Sequence, residues 1–131
     1  VIAELEHEGP DSPRLEVLRQ TAEQSRDALY AGDFDALGRA MQDNTEAQRR
    51  LHPDLVCADT ERIIEIARAH HAAGWKVNGA GGQGGSLTIL SGASASEKRA
   101  MIRAIEEEQP QFRNIPIYLS RFGVRTWEAS E

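Results

Sequence analysis

At 131 residues and 14.5 kDa, with 40% hydrophobic and 27% charged residues, the chain has the size and composition of one globular domain able to bury a core. A net charge of −6 and a pI near 5.2, without any basic stripe, argue against nucleic acid or an anionic membrane as the main partner. No apolar run approaches the ~20 residues that span a bilayer, no basic-then-apolar leader is seen, and the single cysteine, Cys57, fits a reducing compartment, so the cytoplasm is the expected location.

The chain opens on Val1 within what already reads as an element, which suggests a fragment, a processed product or a domain cut from something longer. Val1–Glu8 has helical composition but is too short to be stable alone. Gly9-Pro10-Asp11-Ser12-Pro13 breaks the chain and starts a helix, with Asp11 or Ser12 as N-cap and Pro13 in the first helical position. Leu15, Leu18, Ala22, Ser25 and Leu29 then recur at alternating helical steps as one amphipathic stripe. Ala31-Gly32-Asp33 ends that helix, Gly32 as C-cap and Asp33 as the next N-cap. The second helix carries Phe34, Leu37 and Met41, then Asn44, Gln48 and Leu51 on one stripe, so its apolar face turns polar at Asn44 before His52-Pro53-Asp54 stops it.

A third helix starts near Asp59, shows Ile63, Ile66, Ala67 and His70 on one side, and ends at Gly74. Trp75–Asn78 reads as a strand and Ser86–Leu90 as another, since Leu87 and Ile89 alternate with Ser86 and Thr88. Ser94 followed by Glu97 is a capping box opening a fourth helix, with Met101, Ile102 and Ile105 inward. Ile115, Ile117 and Leu119 alternate with Pro116 and Tyr118, predicting a strand with Pro116 at an edge position, and Val124–Trp127 a last strand. Three helices followed by β-β-α-β-β predict an α+β sandwich, with helices packed on one face of a small, largely antiparallel sheet.

Between the first two strands lies the densest feature of the sequence. Six of the 11 glycines fall within Gly74–Gly85. Fixing a glycine backbone loses more entropy than fixing any other residue, so such a cluster needs a local reason: positive φ, or a backbone that another group must approach. Gly79, Gly81 and Gly84 satisfy the dinucleotide spacing G-x-G-x-x-G, but that fingerprint has meaning only where a helix follows, and here a strand follows. A Walker loop fails likewise, because Gly85 stands where its lysine must be. A ligand-free glycine hairpin is the plain alternative, although two residues suffice for a tight turn.

Lys76-Val77-Asn78-Gly79-Ala80-Gly81-Gly82-Gln83-Gly84 resembles the third sequence motif of the galactokinase, homoserine kinase, mevalonate kinase and phosphomevalonate kinase (GHMP) family, a lysine-bearing strand running into G-A-G-G-G-G. The helix Glu61–Arg68 leading to Gly74, the helix pair broken at Ala31-Gly32-Asp33, the polar Asn44 and the tail of capped helix then strands are similar to that family's C-terminal half. The spacing and the Ile115–Trp127 ending look most like its heptose-phosphate kinase branch.

The resemblance implies a ferredoxin-like domain over residues 1–131. Its glycine loop would complete an inter-domain active site for phosphoryl transfer from ATP to a sugar or sugar phosphate. Gly79, Ala80, Gly81, Gly82 and Gly84 carry over as the cofactor-binding loop, and Lys76, Asn78 and Asn44 as candidate substrate or phosphate contacts. Gln83, and His71 where many members have glycine, depart from the pattern. No counterpart of the family's phosphate loop, magnesium ligand or catalytic aspartate is present, so the resemblance assigns no catalytic residue and no metal ligand to this chain. It implies an N-terminal kinase domain as partner, binding ATP and Mg2+ in the main, and inactivity of the chain alone; an exposed apolar patch could then be buried by homodimerisation. A reading from a different class is a non-catalytic ferredoxin-like domain whose loop holds a small anion or a regulatory partner.

The remaining candidates are weaker. His70 and His71 are adjacent, about 100° apart on a helix, and cannot chelate as an i,i+4 pair would. Cys57 lacks an evident basic neighbour and reads as a packing residue. Asn44 reads equally as a buried hydrogen-bonding residue or a substrate contact, Lys76 as a phosphate contact or a solvated side chain, and Trp75 and Trp127 as core or domain-interface anchors.

Overall fold

The computed structural model describes residues 9, 11–79, 84–118, 120–123 and 125–127. Helix α1 spans Pro13–Ala31, and the Ser12 hydroxyl caps it by accepting from the Arg14 N–H at 3.3 Å. Gly32, at φ 68° and ψ 21°, ends α1 in the left-handed conformation, and the Asp33 carboxylate accepts from the Ala36 N–H at 2.8 Å to open α2, Phe34–Leu51. With one helix ending and the next beginning so close together, α1 and α2 fold back on each other, and Thr21 meets Asn44 across the pair. A 3-10 turn at Pro53–Leu55 leads to α3, Ala58–Ala69. Strand β1, Gly74–Asn78, then pairs antiparallel with β2, Ser86–Leu90, in a register that sets Trp75 opposite Ile89 and Val77 opposite Leu87. Helix α4, Ala95–Glu108, follows, and the Ser94 hydroxyl caps it by accepting from the Glu97 N–H at 3.3 Å.

The architecture is α+β as the pattern predicts: four helices on a small antiparallel sheet, of which two strands lie among the described residues. Ile64 and Ala67 of α3, Trp75 of β1 and Met101 of α4 form the buried centre, with Leu87, Ile89 and Ile105 packed around it. Trp75 and Val77 alternate with half-buried Lys76 and exposed Asn78, the period-two pattern of a strand with one covered face. The Arg68 guanidinium stacks over the Trp75 ring at 5.2 Å, so the tryptophan is a core anchor with a cationic lid.

Helix α2 lies along β1 and satisfies backbone groups that β2 does not reach. Gln42 donates to the Ala73 carbonyl at 3.0 Å, Thr45 donates to the Trp75 carbonyl at 3.2 Å, and the Val77 N–H donates to the Thr45 hydroxyl at 3.4 Å. A sheet edge covered by a helix is protected from pairing with other chains. Gln42 and Thr45 lie beside the predicted stripe and not on it; Asn44, where that stripe turns polar, meets Thr21 of α1 instead.

Several sequence expectations need correction. The strands proposed at Ile115–Leu119 and Val124–Trp127 form no ladder among the described residues; Leu119 and Val124 lie outside them. Ile115, Ile117 and Tyr118 are exposed instead, and so is Trp127, which is no core anchor at 83% exposure. Pro116 supplies no N–H, and no described strand runs beside the segment, so alternation alone cannot make a ladder there. Leu29 and Phe34, placed on the apolar stripes, are exposed because the hairpin tip extends beyond the part of α2 that touches the sheet. The reading of Val1–Glu8 falls outside the described residues. No helix among the described residues is long and apolar enough to cross a membrane.

Candidate functional site

The glycine-rich connection is the turn of the β1–β2 hairpin, and its two ends are described. Gly79 has φ 65°, Gly84 φ 156° and Gly85 φ 111°, a region where side chains are strained. A Cβ added at Gly79 or Gly84 would meet nothing within 4 Å. Backbone conformation, not crowding by the described chain, therefore accounts for glycine at these two positions. Ala80, Gly81 and Gly82 of the candidate loop, together with Gln83, lie outside the described residues.

Asn78 ties the base of the hairpin. Its amide nitrogen donates to the Ser86 hydroxyl at 3.1 Å and to the Thr88 hydroxyl at 2.9 Å, so the last residue before the loop is held to the returning strand by side chain as well as backbone. Lys76 is half-buried, and its ammonium donates to the Val77 carbonyl at 2.9 Å. To reach an incoming phosphate it would exchange that neutral acceptor for a charged one, which forms the stronger bond.

Asn44 is not brought to the loop by any described contact. Its amide nitrogen donates to the Thr21 hydroxyl at 2.7 Å, and Thr21 in turn donates to the Leu18 carbonyl at 2.9 Å. The carbonyl oxygens of Asn44 and of Gln48, one turn further along α2, are buried without a hydrogen-bond donor among the described residues. An unmatched buried acceptor typically costs ~1–3 kcal/mol, so this polar row between α1 and α2 is held against a cost.

The other titratable candidates sit apart from the hairpin turn. Cys57 precedes α3, and the Thr60 hydroxyl 3.3 Å from its sulfur holds the thiol below the usual range. His70 Nδ1 lies 3.5 Å from a carboxylate oxygen of Glu97, joining the end of α3 to the start of α4. His71 has φ 57°, a left-handed residue just after the helix, which is where a glycine is ordinarily found. No three His, Cys, Asp or Glu side chains among the described residues converge as a metal site.

Sequence reasoning missed two positions that set the hairpin in place. Gly74 belongs to close packing and not to the loop, since its α-carbon abuts Gly38 of α2. Thr45, fully buried, bridges two backbone groups of β1. The available signal was Gly38 itself, a helix-interior glycine that costs ~1 kcal/mol against alanine and so asks for a packing reason.

A family model described as GHMP kinases C terminal matches residues 25–109. A search among curated proteins found no match. Among solved structures, L. major mevalonate kinase in complex with R-mevalonate is similar to this chain at 28% identity and a TM-score of 0.59. The likeness covers 72% of this chain and 28% of that one, so the chain spans little more than a quarter of that relative's length.

Proposed function

The chain belongs to the family of GHMP kinase C-terminal domains, and on that premise we propose that it completes the active site of an ATP-dependent kinase by laying its glycine hairpin against an N-terminal kinase domain. The acceptor on this reading is a sugar or sugar phosphate of the heptose-phosphate type, and the compartment is the cytoplasm. The observation that carries the reading is the bare backbone at the hairpin's ends: Gly79 and Gly84 adopt positive φ values, and no described residue lies within 4 Å of where their side chains would stand. Such a turn lets phosphate oxygens or a second phosphate-binding loop come within hydrogen-bond distance of main-chain N–H groups.

Phosphoryl transfer depends on positioning and on neutralising charge. ATP with Mg2+ would supply the phosphoryl group and most of that neutralisation. The contribution assigned here to Gly79, Ala80, Gly81, Gly82 and Gly84 is a close, uncharged wall. Asn78 fixes where that wall begins through its bonds to Ser86 and Thr88. Lys76 is the cation nearest in sequence and supplies charge if it leaves the Val77 carbonyl. Asn44 takes part only if an acceptor hydroxyl reaches its buried carbonyl oxygen.

The test is an assay of the whole protein, N-terminal kinase portion included, with Mg-ATP and a panel of sugar phosphates, free sugars and non-sugar alcohols such as mevalonate. Turnover highest on a sugar phosphate is expected. Preference for a non-sugar acceptor removes the substrate assignment, and absence of phosphoryl transfer to any acceptor removes the kinase reading. The 131-residue chain alone is expected to show no turnover.

A further inference from the structure

The chain holds three asparagines, and they differ in the residue that follows. Asn44 precedes Thr45 and Asn114 precedes Ile115, both branched at Cβ, whereas Asn78 precedes Gly79. Asparagine is thermolabile because the main-chain nitrogen of the next residue can attack its side-chain carbonyl carbon, and the next side chain is the chief obstacle. Glycine offers none. Asn78 and Gly79 are both exposed, and a Cβ built on Gly79 would meet no described residue within 4 Å. Asn-Gly is common as the two-residue turn of a hairpin, but Asn78 lies in β1, paired with Ser86, and the turn comes after it. Turn chemistry therefore does not account for the pair.

The returning strand is what holds Asn78. Asn78, Ser86 and Thr88 share one face of the hairpin, since Asn78 stands opposite Ser86 and alternate residues point the same way. The Asn78 amide nitrogen donates to the Ser86 hydroxyl at 3.1 Å and to the Thr88 hydroxyl at 2.9 Å. Those two bonds use every hydrogen an amide nitrogen has. The Thr88 hydroxyl also lies 3.3 Å from the Asn78 carbonyl oxygen, so both ends of the amide are fixed on β2. Attack by the Gly79 nitrogen requires the side chain to leave these partners and swing back along its own chain.

We propose that Asn78–Gly79 is a self-modification site, held shut by the Ser86 and Thr88 hydroxyls. When the base of the hairpin opens, the Gly79 nitrogen bonds to Asn78 Cγ and gives up its proton. The Cγ–Nδ2 bond breaks with loss of ammonia, leaving a five-membered succinimide ring. Water then opens the ring at either carbonyl, to aspartate or to isoaspartate. The net change converts one amide and one water to one carboxylate and one ammonium, with no redox step. The product alters the root of the glycine loop in two ways. A carboxylate has no hydrogen to donate to Ser86 or Thr88, and its charge repels an approaching phosphate. Isoaspartate also adds a methylene to the main chain just before Gly79, which displaces the loop. The effect on phosphate approach rests on the kinase reading; the site and its latch do not.

Peptide mass spectrometry of the whole protein, incubated for weeks at neutral pH, tests the site, with Asn44 and Asn114 in the same digest as internal controls. In urea, where no hairpin remains, Asn78 is expected to gain the mass that separates acid from amide well ahead of the other two. In the folded protein it is expected to convert roughly 10- to 100-fold more slowly, as two hydrogen bonds of ordinary net strength allow. Thr88→Val, which keeps the side chain's shape, should recover part of that factor, while Thr88→Ser stays near the native rate. Failure of Asn78 to outpace Asn44 and Asn114 in urea overturns the site. Conversion of the folded native protein at the urea rate overturns the latch, and so do equal rates in folded Thr88→Val and Thr88→Ser. Should Thr88→Val not fold, Ser86→Ala takes its place, with conversion faster than native expected and an unchanged rate overturning the latch. Turnover is a separate readout: conversion in a protein that phosphorylates nothing rejects the kinase reading alone, and an active enzyme whose Asn78 is stable in urea rejects the site alone.

Discussion

Gly38 of α2 and Gly74 of β1 meet backbone to backbone. A Cβ on Gly38 would lie 2.2 Å from the Ala73 carbonyl oxygen, and one on Gly74 would lie 2.4 Å from the Gly38 carbonyl oxygen. Glycine to alanine in a helix ordinarily stabilises by about 1 kcal/mol. Here the sign reverses, because the obstructing atoms are backbone and cannot rotate away. Gly38→Ala and Gly74→Ala are each expected to destabilise by about 3 kcal/mol, at the upper end of overpacking costs. Urea unfolding measures this directly, and a stabilised Gly38→Ala would mean that α2 and β1 are not in contact as described.

Thr45 supplies a second, polar joint between the same elements. Its hydroxyl accepts from the Val77 N–H and donates toward the Trp75 carbonyl, all within a fully buried site. Thr45→Val keeps the shape and removes both bonds, leaving a buried donor unmatched at a cost of about 1–3 kcal/mol. Thr45→Ser keeps the hydroxyl and is expected to lose less. Equal losses in the two variants by chemical denaturation would assign Thr45 to packing alone.

His71 occupies the left-handed position after α3, with φ 57°. The left-handed conformation costs a side-chain-bearing residue roughly 1–2 kcal/mol relative to glycine, partly offset by the entropy glycine loses on folding. His71→Gly is therefore expected to stabilise by about 0.5–1 kcal/mol, read as a higher thermal midpoint. A lower midpoint would show that the imidazole makes a stabilising contact that outweighs the strain.

Arg62 of α3 holds Glu108 of α4 by two bonds, at 2.7 and 3.0 Å, and also pairs with Glu65 at 2.8 Å. The guanidinium keeps the Glu108 carboxyl below its ordinary range. A carboxyl depressed on folding stabilises the fold above its unfolded value, and that contribution is lost as pH falls through the lower folded value. The stability gap between the native chain and Glu108→Gln should thus be open at neutral pH and close in acid below the ordinary carboxylate range. Because the pair is solvent-exposed, the gap should also narrow with added salt. Urea midpoints across pH and salt check both trends; a gap that persists unchanged in acid would assign the effect to something other than this charge.

Much of this fold was legible because local chemistry and tertiary structure agree. Ser12, Gly32, Asp33 and Ser94 are caps in sequence and caps in structure, and Ser86–Leu90 is the strand its alternation predicts. The failures have a common cause. Ile115 and Ile117 alternate correctly, yet a strand exists only beside another strand, and no pattern within one segment reports its neighbour. Asn44 marked where the apolar stripe of α2 turns polar, but the stripe could not show that Asn44 bonds Thr21, nor that Gln42 and Thr45 beside it reach the Ala73 and Trp75 carbonyls. Of the candidate site, sequence located the hairpin and its glycines; it could not separate Gly74, set by contact, from Gly79 and Gly84, set by φ.

That separation makes the loop testable. At Gly79, φ 65° with open space around the missing Cβ means that alanine costs the fold only left-handed strain, about 1 kcal/mol. If the hairpin's bare backbone closes on a phosphate or on a second domain's phosphate loop, the same methyl intrudes at the point of closest approach. Displacement of reacting groups by about 1 Å can cost on the order of 100-fold in rate. Gly79→Ala in the whole protein is therefore expected to lower kcat by about 10- to 100-fold while the unfolding midpoint moves little. Gly38→Ala is the converse control, a large stability loss whose remaining folded fraction turns over normally. Steady-state kinetics beside thermal unfolding tell the two apart: a Gly79→Ala enzyme with unchanged kcat would leave the glycine loop a turn and nothing more.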